Sequence, residues 1–166
     1  MVRSGAVPVP VLDHESLLRR TFELARRAHT RGNHPFAAIL VGPDGNVLIE
    51  RENGYLPHRD MTAHAERLLA TEASRTIAPQ VLAGCTLYSS AEPCAMCAGA
   101  IYWAGIGRVV FALSERRLKT ITGDHAENPT LDLPCRAVFA VGQRAVEVLG
   151  PLLEDEAAAV HEGAWG

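Results

Sequence analysis

The stretch SAEPCAMCAG, residues 90–99, places Cys94 and Cys97 three positions apart. They stand where a strand-length run, CTLYSS, gives way to a helical pattern, CAMCAGAIYWAG. Two thiols so placed can form a disulfide, a redox couple, half of a structural metal clip, or part of a working metal centre. Each use demands a different fold, so the choice rests on what else the chain brings to the same place. The N-terminal MVRSGAVPVPVLDHES has prolines and an Asp where a signal peptide needs an apolar stretch. Four cysteines without a secretion signal argue against a disulfide framework. A reducing, cytoplasmic setting is expected.

The order of elements follows from periodicity. Residues 1–12 read as a flexible arm. Asp13 is placed to cap a helix through SLLRRTFELARRAHT, which Gly32 ends. PFAAILVG and NVLIER flank the turn GPDG and read as a hairpin. TAHAERLLATEASR reads as a helix with Thr62 as its cap. CTLYSS is a third strand, CAMCAGAIYWAG a helix opened by Pro93, and RVVFAL a fourth strand. Residues 114–130 read as a long polar loop. LPCRAVFA reads as a short helix, RAVEVLG as a fifth strand and PLLEDEAAAVHEG as a last helix. Strands alternating with helices imply a sheet with parallel pairs and helices on its faces, in one domain over 1–166.

Bulk charge narrows the function. A net charge of −3 and a pI of about 6.1 argue against a protein built to grip nucleic acid. The arginines of LLRRTFELARRAHTR read as the wet face of a helix. No run of eighteen apolar residues is present to span a membrane.

Thirty residues before Cys94 stands TAHAER, with His64 and Glu66. Both cysteine and histidine segments read as helix starts, whose free N–H groups favour thiolate over thiol. Cys94 and Cys97 lie on one face of a first turn and can chelate one ion, and His64 can supply a third ligand. Three protein ligands leave a tetrahedral position open, the mark of a catalytic zinc site. Glu66, near the ion without binding it, suits a proton shuttle. The competing readings are a structural zinc completed by Cys85, His58 or Cys135, and a thioredoxin-like pair, which leaves His64 unexplained.

HAE at 64–66 followed by PCAMC at 93–97 matches the H-x-E…P-C-x-x-C pattern of zinc-dependent base deaminases. Here the chain resembles the cytidine and deoxycytidylate deaminase superfamily, from HPFAAILV through RVVFAL. TLYSSAEPCAMCAGAIYWAGI is especially similar to the guanine deaminase branch. The resemblance implies a three-layer α/β/α fold with a five-strand mixed sheet. It makes His64, Cys94 and Cys97 zinc ligands and Glu66 the shuttle. Asn53 falls where the family binds the base, and Phe36 where its pocket is bordered. Asp124 lies near an acidic residue that helps bind or protonate the base, with Glu115 as its rival. Trp165, with His161, is placed to form a lid within 157–166. The implied activity is hydrolytic deamination of a small free nucleobase, guanine first, by a homodimer. The alternatives are a nucleoside or cytosine deaminase, a tRNA adenosine deaminase, and a non-catalytic zinc-stabilised binding protein. SERRLKTITGDH in place of the KTGAAGS-like stretch, and an acidic tail, count against the tRNA alternative.

Overall fold

A computed structural model describes residues 8–166, so residues 1–7 of the expected arm lie outside the described residues. Helix α1 (His14–Thr30) begins where Asp13 accepts the Ser16 N–H at 3.1 Å. This satisfies a donor the helix cannot pair internally. Its apolar face, Leu18, Phe22, Leu24, Ala25 and Ala28, is buried. The opposite face carries arginines paired with carboxylates: Arg19 with Glu156, Arg20 with Glu50, and Arg27 and Arg31 with Glu52. These arginines are thus matched within the chain, as expected for a wet face.

Strands β1 (Ala37–Val41) and β2 (Val47–Glu52) form the expected hairpin. Then follow helix α2 (Ala65–Thr76), a four-residue turn of helix α3 (Pro79–Leu82), β3 (Thr86–Ala91), α4 (Ala95–Ala104) and β4 (Arg108–Leu113). The chain closes with α5 (Glu115–Thr122), α6 (Cys135–Ala140), β5 (Glu147–Leu149) and α7 (Glu154–Ala159). The sheet order is β2-β1-β3-β4-β5. β1 is antiparallel to both neighbours, and β3, β4 and β5 run parallel. This is the expected five-strand mixed sheet.

Strand alternation sorts the core into two layers. Ala38, Leu40, Leu87, Val109 and Phe111 face α2, α4 and α6. Ala37, Ile39, Val41, Tyr88 and Val110 face α1, α5 and α7. Truncating Leu69 or Leu18, both fully buried, costs about 2–5 kcal/mol.

Two expectations are corrected. Helix α2 starts at Ala65 with His64 as its cap residue. Thr62 is instead held in the preceding turn, its N–H and hydroxyl both bound to Asp60. Residues 115–122 are a helix, not loop: Ser114 caps it by accepting the Arg117 N–H, and Leu118 and Thr122 are buried. Four charged or polar side chains facing water masked that short amphipathic pattern.

Candidate active site

The helix starts converge. β3 ends at Ala91, and Glu92–Pro93 carry the chain to Cys94, the cap residue of α4. His64 caps α2, which packs beside α4. Neither cap side chain pairs with its own helix, so both are free to face outward toward a ligand. One nitrogen of His64 and the sulfurs of Cys94 and Cys97 all lie within 4.8 Å of one another, and His64 Nδ1 stands 3.6 Å from each sulfur. Zinc with Zn–S bonds of about 2.3 Å and Zn–N bonds of about 2.0–2.1 Å has a tetrahedral S···N edge of about 3.5 Å. Donor set and spacing therefore fit zinc.

Local electrostatics prepare these groups. The Cys94 thiol is pushed down to about 4, first by hydrogen bonding from Cys97 and then by His64. Cys97 is pushed up, by sharing that bond and by burial. Hydrogen bonding to Cys94 raises the His64 imidazole. Burial raises the Glu66 carboxyl. Glu66 accepts the Ser89 hydroxyl at 3.0 Å, and its other oxygen lies 3.8 Å from Cys97 Sγ. A buried carboxyl beside the metal group, on the first turn of α2, is placed to exchange protons.

Two cavities open on this group. The inner one is lined by Phe36, Glu66, Leu118 and Asn128, among others; the outer one lies between Met61, Met96, Glu127 and Leu131. His64, Cys94 and Glu115 border both. Glu115 is 6% exposed, and its carboxyl has no hydrogen-bond partner among the described residues. Burial pushes it up to about 8, with Cys94 the next cause.

The remaining predicted residues divide. Asn53 is buried. Its Oδ1 accepts the Tyr55 N–H at 3.0 Å in a local turn, and its Nδ2 has no protein acceptor among the described residues. Phe36 lines the inner cavity. Trp165 lies over Phe36, with ring centroids 6.0 Å apart, and donates its indole N–H to His161 at 3.0 Å. His34 stacks on both Trp165 and Tyr55 and bonds Glu127 at 2.7 Å. Asp124 is exposed and, like Asn53 and Trp165, borders neither cavity; of the two rival acids, Glu115 stands at the metal group. Ser89, Glu92, His34 and Glu127 were not singled out from sequence. Only Glu92 and Ser89 carried a signal there, since both lie within five residues of Cys94.

A mixed sheet between helix layers, with a Cys–Cys–His group at two helix starts and a buried carboxyl beside it, has the donor set and the proton carrier of a zinc-dependent hydrolase. Comparison with known proteins agrees. Residues 12–113 match the family described as the cytidine and deoxycytidylate deaminase zinc-binding region, and the chain belongs to that family. It is 39% identical over 148 residues to a probable cytosine deaminase of Schizosaccharomyces pombe, covering 89% of this chain and 90% of that one. To a guanine deaminase of Bacillus subtilis it is 39% identical over 102 residues, covering 61% and 65%. The solved structure of guanine deaminase from Nitrosomonas europaea superposes with a TM-score of 0.75 at 27% identity, covering 99% and 97%. The chain is thus a zinc-dependent deaminase of the cytidine deaminase superfamily. Among the described residues no helix is long and apolar enough to cross a membrane.

Proposed function

We propose that the chain deaminates a free amino-substituted nucleobase, guanine to xanthine and ammonia being the first assignment. The observation that carries this reading is the inner cavity beside His64 and Cys94, which Phe36 lines, with Trp165 and His161 packed against the Phe36 ring. Phe36 offers a planar ring an aromatic surface inside that cavity, and the full-length similarity to the Nitrosomonas guanine deaminase supports the choice of guanine.

His64, Cys94 and Cys97 hold the zinc, which when bound supplies a water made acidic enough to act as a nucleophile near neutral pH. Asn53 Nδ2, free of a protein acceptor, donates to the base. Glu66 takes one proton from the attacking water as a C–O bond forms at the amino-bearing carbon. It passes that proton to the adjacent ring nitrogen. A second proton, taken from the same oxygen, goes to the amino group, the C–N bond breaks, and ammonia leaves a carbonyl behind. Residues 157–166 act as the lid that keeps bulk water out. Glu115, its carboxyl raised by burial, is the acid that contacts the ring, with Asp124 exposed beyond it.

Cytosine is the second reading. The Schizosaccharomyces relative favours it, because its match runs through 89% of the chain. Nucleic acid as substrate is disfavoured by the paired arginines of α1. The chain works as a homodimer in a reducing cytoplasm, with Trp103 (85% exposed) and Val141 (87% exposed) in the interface. A monomeric mass in sedimentation equilibrium overturns that assignment.

The deciding experiment is ammonia release by zinc-loaded protein on free bases, nucleosides and a tRNA anticodon stem. Turnover of guanine above all others is the expected result. Preference for cytosine or a nucleoside keeps the zinc chemistry and replaces the pocket assignment. Zinc binding with no turnover of any of them overturns the reading.

A further inference from the structure

The segment 115–135 walls both cavities at the metal group, and its two ends meet on one side chain. Glu92 is 7% exposed. Its Oε2 accepts the Glu115 N–H at 3.0 Å, and its Oε1 accepts the Cys135 N–H at 3.0 Å. Its own N–H donates to Leu113 O at 2.7 Å, fixing it to the end of β4. Glu115 and Cys135 are the first residues of α5 and α6, so each N–H is one the helix cannot pair internally. Between the two anchors lie Leu118, which faces the inner cavity, Glu127 and Leu131, which face the outer one, and Asn128, which faces both. On its other side, Glu92 stands two residues before Cys94.

We propose that Glu92 is a positioning residue, a carboxylate clasp that holds the pocket-wall segment 115–135 against the metal-binding turn and so sets how tightly the substrate is held. The affinity part rests on the deaminase reading above; the clasp itself does not. Glu92 itself borders the inner cavity, but each of its oxygens already accepts a backbone N–H, so the residue acts through the two helix starts. A carboxylate is required because both partners are donors. Glutamine offers one acceptor oxygen and turns its NH2 group against the remaining N–H, leaving a buried donor unpaired. A clasp that served stability alone leaves the affinity of the folded protein untouched, and that separates the two roles.

The test is Glu92→Gln in the full-length, zinc-loaded protein. Metal analysis should give the wild-type zinc content. Amide exchange across 116–134 should quicken by about tenfold or more, with peptides from 95–104 unchanged. For whichever base the wild type turns over best, KM should rise by about tenfold while kcat stays within about twofold. Unchanged exchange and KM in folded, zinc-loaded Glu92→Gln overturn the proposal, and so does a fall in kcat alone. Should that variant fail to fold, Cys135→Pro removes one donor at a first helical position, where proline is tolerated, behind a Pro134 already extended at φ −57° and ψ 139°. Faster exchange confined to 124–134 supports the clasp, and no change there overturns it. The exchange readout decides the clasp even if no base is turned over, an outcome that counts against the deaminase reading instead.

Discussion

The floor and the ceiling of the site are built in opposite ways. The floor is local: two tracts of three and five residues, each at the start of a helix on the same face of the sheet, deliver His64, Glu66, Cys94 and Cys97. The ceiling we propose is an aromatic cluster of His34, Phe36, Tyr55, His125, His161 and Trp165, side chains from well-separated parts of the chain, of which Phe36 lines the inner cavity. Helix starts carry unpaired donors and a positive end, which favour the ionised form of a thiol or carboxyl placed there. Stacked rings prescribe nothing until the fold has brought them together. Chemistry is thereby fixed separately from choice of substrate, and one floor can serve several rings under different ceilings.

The sharpest way to break this contrast is to remove a ligand. Cys94→Ala should abolish zinc retention and reduce turnover to background, as metal analysis and ammonia release would reveal; zinc held at the wild-type level would remove Cys94 from the floor. Next in size is Glu66→Gln. Zinc content should stay intact while kcat falls by about 10²–10⁴-fold, the range for a positioned acid–base group. Equal rates would leave the floor a binding site without a shuttle.

The ceiling should respond more mildly. Trp165→Ala removes one stacked aromatic surface, worth about 1–2 kcal/mol, so kcat/KM should fall by about 5–30-fold with zinc retained. An unchanged kcat/KM for the best substrate would sink the lid. The smallest effect is one of pH. Burial pushes His161 down to about 4 from an ordinary 6.5. A depressed folded pKa means that the docked tail is fully stable above pH 6.5 and loses stability as pH falls toward 4, because undocking lets the imidazole take a proton. Its Nδ1 also accepts the Trp165 N–H, a bond that protonation at that atom removes. In a Trp103→Phe background, Trp165 fluorescence should shift across that window, and His161→Phe should flatten the change. A pH-independent signal in the parent would show that the tail is held by other contacts.

Legibility followed the same division. The cap at Asp13, the hairpin, the five strands and both ligand tracts could be read because each is signalled within a few residues. Helix α5 was missed because its buried apolar side chains are only Leu118 and the partly buried Ile121, beside buried Glu115 and Thr122 and among arginines and a lysine. Asp124 and Glu115 could not be told apart along the chain, since both are acids after β4. Folding buries Glu115 at the metal group and leaves Asp124 in water. The start of α2 slipped by two residues because Thr62 is as good a cap by type as any, yet Asp60 holds it in a turn. The pairing of the arginines on α1 likewise depended on β2, which lies beside them only after folding.

By itself the sequence determined the order of strands and helices, the two helix-start tracts and the metal chemistry they imply. Periodicity, capping and ligand spacing all act over a turn or less, and those distances are written directly in the chain. Tertiary structure alone decided which acid reaches the metal group, which aromatic rings cluster with Phe36 at the inner cavity, and that one buried carboxylate, Glu92, joins the ends of the segment between. Those features depend on residues twenty to more than a hundred positions apart meeting in an interior where burial raises one carboxyl group and decides which donor is paired.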